Sequence, residues 1–233
     1  ALAAAIIGKT PDYGMHKAEN RQPSVLISVE EPLQNEAEFG ALGIYLGEIL
    51  GDKVPAIQGL KTASREELKQ LGAALASSGM VNMFHLDSDT KKEKVEKISV
   101  ETRDIKQTVE NLSTAPESTK PDLIFVGCPH CSLHEIRQIA EKIGDGKVRR
   151  GTEFWVCTSR YVWEKAERHV RKIEESGGHV LTDTCAVVTW TKLLGIRTIM
   201  TNSAKTAHYA PTLNKAETTL ASLNQCLKTA LKE

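Results

Sequence analysis

The sequence has no apolar run near the ~20 residues that a membrane-spanning helix requires; residues 1–7 and 41–50 come nearest and are too short or too interrupted. It has no excess of either charge, with 30 Lys and Arg against 30 Asp and Glu, so neither a nucleic-acid surface nor a membrane-surface role is expected. It has no internal repeat and no low-complexity tract. Its five cysteines are an odd number and too few for a disulfide framework, which favours a reducing compartment with thiol or metal chemistry, and so the cytoplasm. The apolar start, Ala1 to Ile7, has neither a basic leader nor an initiating Met, so it reads as interior sequence rather than a signal peptide.

At 233 residues, one large domain or two small ones can bury a core. Short β-branched apolar runs alternate with stretches of helical spacing, the pattern of a parallel sheet covered by helices. Strands are expected at Ser24–Val29, Met80–Leu86, Asp122–Val126, Glu153–Thr158, His179–Thr182 and Arg197–Thr201. Helices are expected at Asn35–Leu50, Ser64–Ser78, Arg103–Leu112, Ser132–Ile143, Ser159–Ser176 and Leu220–Leu231. Ser64 and Glu67 have capping-box spacing, and Gly177-Gly178 closes the helix before His179. The expected class is α/β: three layers, a mostly parallel sheet with helices on both faces. The polar stretch Asp87 to Pro121 reads as a loop or subdomain join, with the charged run Lys91 to Lys97 as a solvated face.

Four segments next to expected strands concentrate reactive groups, and carboxyl ends of parallel strands are where sites assemble. In Gly127-Cys128-Pro129-His130-Cys131-Ser132, Cys128 is expected at a strand end beside a helix N-terminus, whose dipole favours a thiolate. The Cys-x-x-Cys spacing alone admits a redox dithiol, half a zinc site, iron–sulfur ligation or two structural thiols. In Thr182-Asp183-Thr184-Cys185, Cys185 could share a crevice with Cys128. The segment Thr201 to Tyr209 gathers Asn202, Ser203, Lys205 and His208, groups suited to a carboxylate or phosphate; a turn followed by a solvated helix start is the alternative. The loop from Gly8 to Arg21 ends in Glu19, Asn20 and Arg21, with His16 close by, and lacks P-loop spacing. Cys157 and Cys226 read as core or surface residues; His85, at the end of its strand, could face the same crevice or be a satisfied core histidine.

Taken in order, these four segments resemble the aconitase X family of iron–sulfur hydro-lyases, across nearly the whole chain. The resemblance implies an aconitase-like fold and removal of water from a small hydroxy acid, with (R)-5-phosphomevalonate, giving anhydromevalonate phosphate, ahead of a hydroxyproline as substrate. It implies an iron–sulfur cluster with Cys128 and Cys185 as ligands and a third cysteine from a preceding region, since residues 1–233 resemble only the later part of the family's large subunit. It assigns Lys205, Ser203 and Asn202 to the substrate's carboxylate or phosphate. It places His16, Glu19, Asn20 and Arg21 on the opposite wall with His208, and His130 beside the leaving hydroxyl or a cluster sulfur. The implied partner is a small swivelling-domain subunit. The family's turn after His85 is replaced here by Asp87-Ser88-Asp89-Thr90-Lys91. A cluster-less binding module and a Cys128–Cys131 redox protein are the readings from other classes; the second requires Cys131.

Overall fold

The computed structural model describes residues 1–87 and 95–231. The elements run α1 (Leu2–Ile7), β1 (Val25–Val29), α2 (Glu36–Leu50), β2 (Pro55–Gln58), α3 (Arg65–Ser78), β3 (His85–Leu86), β4 (Glu96–Val100), α4 (Thr102–Leu112), β5 (Leu123–Cys131), α5 (Leu133–Ile143), β6 (Glu153–Thr158), α6 (Arg160–Lys165), α7 (Glu167–Glu175), β7 (His179–Thr182), β8 (Thr198–Thr201), α8 (Ala204–Leu213), β9 (Glu217–Leu220) and α9 (Leu223–Ala230). The class is α/β. The strands divide between two parallel sheets, β3-β2-β1-β4 and β7-β6-β5-β8-β9. No helix among the described residues is long and apolar enough to cross a membrane.

The apolar runs become the central strands because both faces must be covered: Val25 and Ile27 in β1 and Leu123 to Phe125 in β5 are fully buried. α2 is apolar on most sides because α3 and α8 both pack on it. Gly43 and Gly47 allow the α3 approach, since a Cβ there would lie 2.6 Å from the Leu71 carbonyl oxygen and 2.1 Å from Ser78 Oγ. Ala204 and Ala207 of α8 extend this core into the second half of the chain. The capping box at Ser64 and Glu67 forms, and Gly177, at φ +96°, follows the end of α7.

Several expected bounds are corrected. The stretch Met80–Leu86 pairs only at His85 and Leu86, because β2 has four residues and its register with β3 begins at Ala56 opposite His85. β2 escapes notice because it is short and opens on proline. β4 and β9 are edge strands with alternating polar residues, and β4 takes part of the stretch expected to be a loop. The stretch 159–176 breaks at Ala166 into α6 and α7. The last helix begins at Leu223, capped by Ser222, because Leu220 ends β9. After Thr201 a short turn leads into α8, and its start is buried at Ala204, Thr206 and Ala207 rather than solvated. The turn from Asp87 to Lys91 and the first part of the run from Lys91 to Lys97 fall on 88–94, outside the described residues.

Candidate functional site

The site grows from the carboxyl ends of β5 and β7 in the second sheet. β5 continues past Val126 with a register shift and a cis Cys128–Pro129 bond. Gly127 makes this possible: its φ is +106°, and a Cβ would meet the Cys157 carbonyl oxygen at 2.2 Å. Beyond β7, Asp183 has φ +54°. Its backbone N–H donates to the Thr158 carbonyl at 3.0 Å, and its carboxylate accepts from the Arg160 N–H at 3.0 Å. His130 donates from Nε2 to the Thr184 carbonyl at 2.7 Å, tying the two cysteine-bearing turns together. The carbonyl of His130 accepts from Lys69 Nζ at 3.0 Å, and Lys69 is also paired with Glu135. Thus α3, under the first sheet, braces the turn of the second.

These turns set the Cys128 and Cys185 thiols against each other. The hydrogen bond Cys128 donates to Cys185 lowers the Cys185 thiol to about 6; burial opposes this, while the Val187 and Val188 N–H groups and the positive charge of Lys205 assist. The same contact, followed by burial, pushes the Cys128 thiol strongly up, against the Thr206 hydroxyl and the Lys205 charge. The thiolate expected at Cys128 therefore resides on Cys185. The physical reason is position: β5 runs to Cys131, so Cys128 is not at the helix N-terminus, whereas Cys185 precedes the 3-10 turn Ala186–Val188, whose Val187 and Val188 amides help lower its thiol without capping it.

Cys131 points elsewhere. It packs with Ile136 and Ile139, while Cys128 packs with Phe125 and Cys157, so the two lie in different cores. That separation removes the basis of a Cys128–Cys131 dithiol. Burial raises the Cys131 and Cys226 thiols and pushes Cys157 up to about 12. All three are core thiols. Among the described residues, no three His, Cys, Asp or Glu side chains converge as a metal site.

The first turn of α8 forms the facing wall. Ser203 is its N-cap and its Oγ accepts from the Thr206 N–H at 3.2 Å. Lys205 projects its charge onto both thiols. Asn202 donates from Nδ2 to Glu36 at 3.2 Å, while its buried Oδ1 has no partner among the described residues. Glu36, in the first turn of α2, also accepts from the Leu223 N–H. His208 is half-buried, edge-on to Tyr209 with ring centroids 5.1 Å apart.

Structure therefore brings together Cys128, Cys185, Lys205 and Thr206, with Ser203 and Asn202 in the adjoining turn. His16, Glu19, Asn20 and Arg21 lie apart on an exposed loop. That loop is held by Asn20 Nδ2 to the Gly14 carbonyl, 2.8 Å, and by His85 Nε2 to the Arg21 carbonyl, 2.7 Å. No hydrogen bond or ion pair among the described residues joins it to the cysteines. Thr206, Glu36 and Lys69 were not singled out in the sequence. Thr206 carries no motif of its own, and the other two act on partners 166 and 61 residues away.

Comparison with known proteins matches residues 23–110 to the aconitase X second domain and residues 121–232 to the aconitase X third domain. The chain is 39% identical over 245 residues to the phosphomevalonate dehydratase large subunit of Methanocaldococcus jannaschii, covering 98% of this chain and 60% of that protein. It is 43% identical over 220 residues to the large subunit of Methanothermobacter thermautotrophicus, covering 91% and 54%. Against the cis-3-hydroxy-L-proline dehydratase of Pseudomonas aeruginosa it is 32% identical over 248 residues, covering 99% and 43%. The fold superposes on the crystal structure of Thermococcus kodakaraensis aconitase X in its holo-form, with a TM-score of 0.89 and 33% identity, covering 98% of this chain and 60% of that one. The chain thus spans little more than half the length of the large subunits it matches.

Proposed function

The chain belongs to the aconitase X family, and from that premise we propose that it forms the larger part of the catalytic surface of an iron–sulfur-dependent dehydratase. The observation that carries this reading is the apposed Cys128–Cys185 pair facing Lys205, whose charge together with the Cys128 contact lowers the Cys185 thiol. Two adjacent thiols with their own donor groups are the right kind of ligand for two corners of a cluster, and the third ligand lies outside the residues gathered here. When bound, such a cluster supplies a Lewis-acidic iron that turns the substrate hydroxyl into a better leaving group.

The chain's own residues supply binding and charge. Lys205 and the Ala204 and Lys205 amides, which have no acceptor among the described residues, suit a substrate carboxylate or phosphate at the start of α8. Asn202, its amide nitrogen committed to Glu36, offers Oδ1 as an acceptor for a substrate hydroxyl. The proton lost in dehydration is alpha to a carboxylate, so fixed positive charge is needed where enolate charge develops, and Lys205 provides it. Ser203 adds a buried hydroxyl. His130 keeps the cysteine turns in register and has Nδ1 left for a substrate or a cluster sulfur. His16, Glu19, Asn20, Arg21 and His208 are proposed to bound the substrate on the far side.

The substrate proposed is (R)-5-phosphomevalonate, converted to anhydromevalonate phosphate. Identities of 39% and 43% to two phosphomevalonate dehydratase large subunits, against 30% and 32% to two cis-3-hydroxy-L-proline dehydratases, support this order. The "large subunit" in the relatives' names supports a small-subunit partner, which would bring the general base. The join between the two units is proposed within 87–121, supported by the gap between the family matches at 111–120. The test is anaerobic assay of the reconstituted two-subunit enzyme with both substrates. Preferential loss of 5-phosphomevalonate, reduced at least tenfold by Lys205→Ala, is expected; turnover of hydroxyproline alone would reassign the substrate.

A further inference from the structure

Two buried threonines occupy helices and treat their hydroxyls differently. Thr108 in α4 turns Oγ1 back to the Asp104 carbonyl at 2.8 Å, the bond a helical threonine ordinarily makes. Thr206 in α8 is fully buried, yet its Oγ1 has no oxygen or nitrogen partner among the described residues. A buried hydroxyl normally has an acceptor. The Cys128 sulfur is near enough for this hydroxyl to lower its thiol, yet the two make no ordinary hydrogen bond.

The two thiols differ in what supports them. The Val187 and Val188 N–H groups lie close enough to Cys185 to lower its thiol, without an ordinary capping bond. Cys128 is followed by Pro129, which has no N–H to give, so its own turn leaves the sulfur without an adjacent amide donor. The wall opposite fills that gap, because Ser203 caps α8 and fixes the turn that carries Thr206. Resting on the reading of Cys128 and Cys185 as a ligand pair, we propose that Thr206 is a positioning residue whose hydroxyl donates to the Cys128 sulfur when that sulfur binds a metal centre.

Cadmium(II) titration of the 233-residue chain, followed by thiolate-to-cadmium absorption, tests this without any need for turnover. The unsubstituted chain is expected to bind with the absorption of two thiolates, and Cys128→Ser and Cys185→Ser each to lose about half of it. Thr206→Val should bind at least about tenfold more weakly, the worth of one hydrogen bond to a charged acceptor, at unchanged final absorption. Thr206→Ser should restore the affinity, and Thr108→Val should leave it unchanged. If Thr206→Val does not fold, Thr206→Ala carries the same expectation. A Thr206→Val titration that superimposes on the unsubstituted one, with both cysteines still required, overturns the role of Thr206 alone. A Thr206→Ser variant as weak as Thr206→Val does the same, since it assigns the effect to packing. Absorption indifferent to both cysteine substitutions would remove the ligand pair and this inference together.

Discussion

In the first sheet the chain leaves β1 through Glu30 and Glu31, and the polar groups there are spent on one another: the Ser99 hydroxyl goes to Glu30, the Thr102 hydroxyl to Glu31, and Asn35 caps α2. In the second sheet the corresponding ends hold Cys128 and Cys185, and beside them Asn202 Oδ1 and Thr206 Oγ1 are left without an oxygen or nitrogen partner among the described residues. Both sheets are parallel, both have buried central strands, and both use a positive-φ glycine to admit a neighbouring carbonyl, Gly59 just past β2 and Gly127 at the register shift within β5. All five cysteines belong to the second half of the chain. The contrast shows where chemistry is kept in an α/β fold: topology offers several strand ends, and a site forms at the one whose buried donors and acceptors are not consumed internally.

The contrast in thiol environments predicts the largest effect. In the metal-free chain at pH 7, Cys185 should alkylate more than about tenfold faster than Cys131, Cys157 or Cys226, as site-resolved mass spectrometry would measure. Because its thiol is lowered to about 6, the rate should fall as pH drops through that value, and Cys128→Ala, which removes its largest stabilising contact, should move the midpoint upward. Equal labelling of all five would erase the distinction between the sheet ends. Next come the two glycines. Gly127→Ala would place Cβ 2.2 Å from the Cys157 carbonyl and Gly59→Ala 2.5 Å from that of Val29, so each should cost at least about 3 kcal/mol in urea unfolding. In conditions where both variants remain folded, only Gly127→Ala should abolish the fast labelling of Cys185.

Asp122 is a smaller test of the second sheet. Burial pushes its carboxyl up, but hydrogen bonds from the Arg197 and Thr198 N–H groups and the Thr198 hydroxyl outweigh this and leave it below the ordinary 3.8. The charged form is favoured in the folded state, so its contribution is present above the ordinary value and disappears as pH falls through the lower one. Asp122→Asn should cost about 1 kcal/mol near neutrality after solvent screening, and its stability curve should converge on the unsubstituted one in acid. Smallest are the ion pairs. Lys69→Ala, which frees the His130 carbonyl and Glu135, should cost about 1 kcal/mol, whereas Lys53→Ala, from the exposed pair with Glu96, should stay below about 0.5 kcal/mol.

The same contrast governs what the sequence disclosed. Strands β5, β6 and β8 are largely apolar runs because both their faces are covered, and all three are legible as such; β7 is an edge, legible through Val180 and Leu181 between the Gly177-Gly178 turn and Asp183. β4 and β9 are edges with one partner each, so their alternating polar residues look like loop. α8 was hidden by its opening Asn202-Ser203-Ala204-Lys205, which serves a turn as well as a helix start, and by Pro211 inside it. At the site, Cys128 and Cys185 were visible because each sits in a short, distinctive turn. Which of them carries the thiolate was not, since that depends on the Val187 and Val188 amides and on a bulge that moves Cys128 away from α5. Glu36 and Thr206 act through contacts that only tertiary structure creates.

The central claim is that Cys128 and Cys185 together ligate an iron–sulfur cluster. Its most direct test is anaerobic reconstitution of the protein, alone and joined to the preceding region of a matched relative's large subunit, with iron and sulfide, followed by iron content, visible absorption and electron paramagnetic resonance. Cys128→Ser and Cys185→Ser are tested alongside, with Cys131→Ser as the control. The account predicts a cluster that either of the first two substitutions strips or alters and that Cys131→Ser leaves intact. A cluster that survives both Cys128→Ser and Cys185→Ser, or one that depends on Cys131, would contradict it.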